Sequence, residues 1–290
     1  MIPPANVSAP SRAARPRLNA AAVEAIIDGF DGVGWREISD PTASNRVDSK
    51  FIVPAGLVPE LLERAGRHYR VVEVEGIRLA TYVTRYFDTP DFQLYHAHHS
   101  GRTPRYKVRI REYATTGDRY LEVKRKRAAG GRTQKERIHL EDGEASPVQR
   151  LLRDDLLAVG HMVDPSQLGA RMTTQYQRVT LVSTDVAERV TIDLVLTCQQ
   201  RDRARTYPAV AIVEVKQTVR SRTPITETLS AMNLHRRSIS KYCIGVAALV
   251  PDVKTNLFKP VFRYLDRYAG VEPVREVGPL ISPAGINGIE

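Results

Sequence analysis

A chain of 290 residues, 42% hydrophobic and 26% charged, has apolar content enough for one large domain or two small ones and is not a disordered polyelectrolyte. Its net charge of +10 favours an anionic partner: nucleic acid, an anionic membrane surface or phosphates. Cys198 and Cys243 have neither metal-ligand spacing nor the pattern of a disulfide framework, and read as buried thiols of a reducing compartment.

Residues 1–17 are rich in Pro, Ala and Arg and lack the apolar stretch of a secretory signal, so a disordered leader is expected. From Leu18 to Phe30 the apolar residues fall at helical spacing. A first strand is expected over Asn45–Val53, with Arg46, Asp48 and Lys50 on one face. Pro54 then opens a helix over Ala55–Gly66. Leu79–Phe87 is a strand closed by the turn residues Asp88-Thr89-Pro90-Asp91. Phe92–Tyr95 is too short to classify. His96–Pro104 reads as an exposed loop whose three histidines match no standard metal spacing.

Three basic strands follow. In RYKVRIREY, Arg105, Lys107, Arg109 and Arg111 share one face, opposite Tyr106, Val108 and Ile110. Glu122, Lys124 and Lys126 oppose Leu121 and Val123 in the next strand. Lys135, Arg137 and His139 oppose Ile138 and Leu140 in the third. A helix is expected over Ser146–Gly160. Strands are expected over Met172–Val182, over Arg189–Thr197 with Thr191, Asp193 and Val195 on one face, and over Val210–Thr218 with Ile212, Glu214 and Lys216 on one face. Ile225–Leu234 and Leu257–Tyr268 read as helices, and Tyr242–Leu249 as a last strand or a buried helical turn. The tail over 270–290 is expected to be loose.

The pattern is therefore one α+β domain over 18–269 with about eight strands, each with an apolar and a charged side. Two architectures fit: an antiparallel β-barrel with a charged lumen and flanking helices, or an open antiparallel sheet with its charged face in water. Acids among many cations, notably Asp193 and Glu214, favour the barrel. No Gly-rich phosphate loop, Ser-His-Asp set or HExxH run is present. Phosphates would then be held by Lys50, Arg109, Arg111, Lys124, Lys126, Lys135, Arg137, Arg178, Lys216 and Lys241, combining planar forks with mobile point charges. Glu214 could hold a divalent cation that bridges phosphate oxygens, and Glu122 repeats the pattern more weakly. Aromatic residues are sparse beside the basic positions, so nucleic acid is not the expected partner. The longest apolar run, Tyr242–Val250, falls short of the ~20 residues a spanning helix needs, and a cytoplasmic protein is expected.

In their joint order, YFDTPDFQLY (86–95), KVRIREY (107–113), LEVKRK (121–126), KERI (135–138), QYQRV (175–179), RVTIDL (189–194), VEVK (213–216) and SISKY (238–242) resemble one known family. It is the polyphosphate polymerase domain of the vacuolar transporter chaperone (VTC) type, among the triphosphate tunnel metalloenzymes related to CYTH phosphohydrolases. The resemblance spans roughly Asn45–Leu249. It implies a tunnel that binds ATP and inorganic polyphosphate with Mn²⁺ or Mg²⁺, with Lys50, Arg109, Arg111, Lys124, Arg178, Lys216 and Lys241 as the catalytic clamp and Lys126, Lys135 and Arg137 holding the phosphate chain. Glu214 would be the metal ligand, with Ser240 beside Lys241. Arg46, Asp48 and Lys50 stand where related phosphohydrolases carry ExExK, which favours a polymerase over a hydrolase. Thr191 replaces an expected tunnel arginine. The family's membrane segments and regulatory domain are not found, so release of product in the cytosol is expected. The alternatives are a tripolyphosphatase or nucleoside triphosphatase of the same fold, and a polyphosphate-binding module without turnover.

Overall fold

Alternation of charged and apolar residues builds the centre of the molecule. The computed structural model describes residues 20–38, 47–126, 133–141, 163–269 and 273–278. In chain order the elements are α1 (Ala20–Asp28), β1 (Gly32–Gly34), β2 (Val47–Pro54), α2 (Val58–Ala65), β3 (Tyr69–Glu73), β4 (Leu79–Asp88), α3 (Gln93–His99), β5 (Arg105–Tyr113), β6 (Arg119–Lys126), β7 (Thr133–Leu140), β8 (Gly169–Ser183), β9 (Glu188–Gln200), β10 (Arg203–Tyr207), β11 (Val210–Gln217), α4 (Pro224–Ala231), α5 (Lys241–Leu249), α6 (Lys259–Ala269) and β12 (Arg275–Glu276). The strands form one sheet whose long path runs β7–β6–β5–β4–β8–β9–β11–β2, antiparallel at every step. These are the strands that the alternation predicts. Short β1, β3, β10 and β12 add to its margins and carry no such signal.

The closed barrel is not seen: among the described residues β2 and β7 do not pair with each other. The reason lies at the free edge of β2. There the Arg237 amide donates to the Lys50 carbonyl at 2.8 Å, and Lys50 Nζ donates to the Ile239 carbonyl at 3.4 Å. The segment leading to α5 thus occupies the edge that closure would need. The sheet still curls, because Lys107 of β5 reaches Ser240 beside that same segment, at 2.9 Å.

The two faces are filled differently. On the outer face, Val179, Leu181, Val190, Ile192, Val213 and Val215 pack with Val23 and Ile27 of α1, Leu61 and Leu62 of α2, and Ile225 and Leu229 of α4. Each such aliphatic side chain, fully buried, contributes about 1.5–3 kcal/mol. Part of the inner face is closed by α5 and α6, whose Tyr242, Ile244, Leu249 and Leu265 meet Ile52, Tyr86, Met172, Leu196 and Ile212. Ser240 caps α5 by accepting from the Cys243 amide, so Tyr242–Leu249 is helical rather than a strand.

Other differences have local causes. The histidine segment is the helix α3 and not an exposed loop. Buried Asp88 accepts from the amides of Leu94 and Tyr95 at 2.9 Å each and from the Tyr242 hydroxyl, capping α3 and clasping it to α5. In β9, Val195 takes φ +50 beside a register break, so the inner face passes from Asp193 to Leu196 and Val195 leaves the predicted stripe. Within the tail expected to be loose, Arg275–Glu276 pairs with Arg203–Ala204. The leader, Arg46, the 146–160 helix and residues 279–290 lie outside the described residues. No described helix is long and apolar enough to cross a membrane.

Candidate functional site

Three carboxylates organise the inner face, each set among cations by strand register. Asp193 on β9 lies opposite Arg178 on β8 and takes a bidentate pair from it, Nε to Oδ1 at 2.5 Å and Nη2 to Oδ2 at 2.9 Å. Lys241, the first residue of α5, bonds the same Oδ2. Glu214 on β11 faces Lys50 of β2 at 3.5 Å and Lys216, two residues along, at 3.3 Å. Glu122 on β6 receives Arg109 Nε from β5 at 2.6 Å and Lys135 from β7 at 3.2 Å, with Arg137 at 3.9 Å. Burial alone would raise all three carboxyl groups. Arg178 and Lys241 at Asp193, Lys216 and Lys50 at Glu214, and Arg109, Arg111 and Lys135 at Glu122 instead hold them well below the usual range.

Between these anchors lies a rung of donors. Register places Arg111 on β5 opposite Thr84 on β4, and Thr84 opposite Thr174 on β8. Arg111 is 9% exposed and Thr84 and Thr174 are 0% exposed, yet Arg111 Nε and both hydroxyls have no hydrogen-bond partner among the described residues. The Thr191 hydroxyl, on the residue facing Glu214, is in the same condition. Buried polar groups are nearly always satisfied, so a set of orphans on one charged face marks where a ligand's oxygens belong. Tyr82 and Tyr176 stack at 5.6 Å and support the cations: Arg178 lies 4.8 Å from the Tyr82 ring and Lys241 4.5 Å from that of Tyr176. Burial would raise the Tyr176 phenol, but Arg111, Arg178 and Lys241 bring it down to about 8.

Further out, Lys107, Lys124 and Lys135 share one rung across β5, β6 and β7. Lys107 donates to Ser240 Oγ, and its ammonium is pushed down to about 7 by burial, with Lys50, Arg109 and Lys124 adding to the effect. His98 of α3 is pushed down to about 3 by burial and then by Lys107, Arg105, Lys124 and Lys50, so its imidazole stays neutral.

Of the residues predicted from sequence, Lys50, Arg109, Arg111, Arg178, Glu214, Lys216, Ser240 and Lys241 gather on this face. Lys135 and Arg137 join through Glu122 but are exposed, Lys124 is exposed on its rung, and Lys126 stands half-buried at the end of β6. Lys107, Tyr176, Thr84, Thr174 and His98 were not among the predicted ligands. Alternation does put Lys107 on the basic face, whereas the threonines have no sequence signal beyond their parity in the strand.

Among the described residues no three His, Cys, Asp or Glu side chains gather as a metal cage. Glu122 is not a free ligand, since Arg109 holds one oxygen and Lys135 the other. Glu214 is a single ionised, hard oxygen donor on the inner face. Lys50 and Lys216 stand 3.5 and 3.3 Å from its two oxygens, so it fits Mg²⁺ or Mn²⁺ that draws its other oxygens from phosphates and water once those ammonium groups turn to the phosphates.

The comparisons bear on this face as a whole. Residues 45–250 match the VTC domain family. Among solved structures, one from Bacillus halodurans proposed as an adenylate cyclase aligns at 16% identity over 68% of this chain and 94% of that one, with TM-score 0.45. A Hippeastrum protein with a dominant triphosphatase activity aligns at 13% identity over 71% and 98%, with TM-score 0.43. A conserved Pyrococcus furiosus protein aligns at 14% over 68% and 99%, with TM-score 0.37. No curated protein matches the sequence. At these scores the structural likenesses add nothing to the family match.

Proposed function

The chain belongs to the VTC domain family, and we propose that it is a polyphosphate polymerase that transfers the γ-phosphoryl group of ATP to a growing inorganic polyphosphate chain. The observation that carries this reading is the rung of buried orphan donors, Arg111 Nε, Thr84 and Thr174, set between cations that are already oriented. Such a face suits a ligand that is anionic over a length of several residues, which a phosphate chain is.

The transfer needs little covalent work from the protein. A terminal phosphate oxygen of the chain attacks the γ-phosphorus, the bond from γ-phosphorus to the β,γ-bridging oxygen breaks, and the electron pair leaves with ADP. The attacking oxygen is already anionic, so no general base is required. Arg109, Arg111, Arg178, Lys216 and Lys241 would neutralise the phosphoryl oxygens, and the carboxylates paired with Arg109, Arg178, Lys216 and Lys241 hold those four groups in place before substrate arrives. Lys50, Lys124, Lys126, Lys135, Arg137 and Ser240 would hold the rest of the phosphate chain. Glu214 would hold Mn²⁺ or Mg²⁺, which when bound supplies further charge neutralisation at the phosphates. The three carboxylates are held ionised by cations and are poor bases, so activation of water for hydrolysis is disfavoured.

The test is incubation of the purified chain with ATP and each metal, with products resolved on a gel that displays polyphosphate. Long chains together with ADP are expected. Orthophosphate as the main product would make the protein a triphosphatase, and tight binding without ADP release would make it a binding module.

A further inference from the structure

A second basic surface lies at the end of the sheet near Asp88, where outward residues of β4, β8 and β9 stand beside Phe92 and Met172. Arg85 on β4 alternates with Thr84 and Tyr86, which face inward, and therefore projects outward. Register sets Arg85 beside Thr173 on β8, and Thr173 beside Gln199 on β9. Arg171 and Arg201 follow two residues along from Thr173 and Gln199. Together these side chains line a groove of about 420 Å³, within the range of roughly 300–1,000 Å³ that small-ligand sites occupy. None of the described residues lining it is a carboxylate. Arg171 Nε donates to the backbone carbonyl of Asp88 at 3.4 Å, and the Glu112 carboxylate stands 3.9 Å from Arg85 Nη2. Arg201 sits at φ +54, a left-handed conformation that costs any residue with a Cβ, so a cation occupies a turn position that glycine would fit better.

We propose that this groove is a second anion site, for a short oligophosphate, separate from the inner face. Three guanidinium groups supply planar forks for phosphate oxygens, and Thr173 adds a hydroxyl donor on the same rung. Glu112 offsets Arg85, so a single carboxylate ligand would answer only one of Arg171 and Arg201, whereas a di- or triphosphate reaches both.

Calorimetric titration of the full chain with sodium tripolyphosphate is expected to show two sites. Arg171→Ala with Arg201→Gly, the second suited to the left-handed backbone, is expected to remove one site or weaken it at least about tenfold. Melting temperature and ADP release should be unchanged. Lys216→Ala, on the inner face, should leave the groove site intact. Binding lost in the groove variant but kept in Lys216→Ala supports the groove even if the inner-face reading fails. A wild-type protein with one site that only Lys216→Ala removes, or a groove variant that binds as wild type does, overturns the proposal. ATP in place of tripolyphosphate separates the sources: equal loss in the groove variant means that the groove takes a nucleotide's phosphates as well as free chains.

Discussion

Two parts of the inner face are rich in cations and treat them in opposite ways. Around Glu122, Asp193 and Glu214, arginines and lysines are tied to carboxylates by strand register, and the acids stay ionised. On the neighbouring rungs, Lys107–Lys124–Lys135 and Arg105–Lys126–Thr133, no carboxylate stands on the strands, though Lys135 reaches back to Glu122 of the first region. Lys107 there is pushed down to about 7. The first region fixes the geometry and the charge of its donors before any ligand arrives. In the second, the charge of Lys107 depends on whether an anion is present. A machine that aligns reacting phosphates needs the first property, and one that lets a phosphate chain pass needs the second.

The largest effect expected is from breaking the balance at Glu122, which is 3% exposed. Glu122→Ala leaves Arg109, Lys135 and Arg137 facing one another without an anion, and removal of one partner from a buried ion pair costs about 3–5 kcal/mol. The melting temperature should fall by about 6–20 °C, at roughly 2–4 °C for each kcal/mol in a domain of this size, and tripolyphosphate should restore part of it. A variant that melts with wild type would show that the carboxylate does not hold the cations. Next in size are Arg111→Ala and Lys216→Ala. Each should lower ADP release by about 10²–10³-fold, the usual cost of one preorganised donor, with melting changed far less than in Glu122→Ala. Equal damage to stability and turnover would erase the distinction between anchor and donor.

How far the sequence foretells this depends on the range of the forces involved. Strands such as RYKVRIREY declare themselves because alternation is local, and the pairing of Glu214 with Lys216 follows from their two-residue spacing. Helix α3 does not declare itself, since its cap is the side chain of Asp88, which bonds amides six and seven residues on and a tyrosine of α5. The open edge of β2 is likewise set by contacts with Arg237 and Ile239, far along the chain. The shift of face at Val195 depends on a bulge that parity cannot show. The orphan threonines are the hardest to find, because Thr84 and Thr174 look like ordinary strand residues until Arg111 stands beside them.

The responsive region is sharpened by pH. Lys107 titrates near 7 in the empty protein, and a bound anion favours the charged ammonium, so its value rises on binding. Binding of a long polyphosphate, whose internal phosphates do not titrate there, then takes up a proton above pH 7. Affinity should fall as pH rises from 7, by at most about tenfold per unit for one proton. Lys107→Met should bind more weakly at pH 6 and lose most of that slope. Lys50, Arg105, Arg109, Lys124, His98 and Cys243 face Lys107; burial brings the His98 imidazole down to about 3 and pushes the Cys243 thiol up, so neither supplies the proton in its place. A slope that persists in Lys107→Met would assign the proton elsewhere.

The smallest effect comes from a buried acid placed outside the contrast. Glu188 is 2% exposed and accepts from Tyr69 at 2.5 Å, Gln217 at 2.7 Å and Thr223 at 3.0 Å, all neutral donors. Burial raises its carboxyl, and these hydrogen bonds only partly offset the rise, the reverse of what cations do for Glu122. Because its folded value lies above the unfolded one, the folded state holds this proton more tightly. The stability it contributes is present in full below the unfolded value of 4.5 and is lost as pH climbs through the folded one. Gln at this position keeps the neutral shape, and the Tyr69 hydroxyl can accept from its amide. Glu188→Gln should therefore match wild type within about 1 kcal/mol at neutral pH and flatten the pH dependence of melting above pH 4.5. If it instead collapses as Glu122→Ala does, burial rather than cation pairing governs both acids, and the division of the inner face into fixed and responsive parts loses its basis.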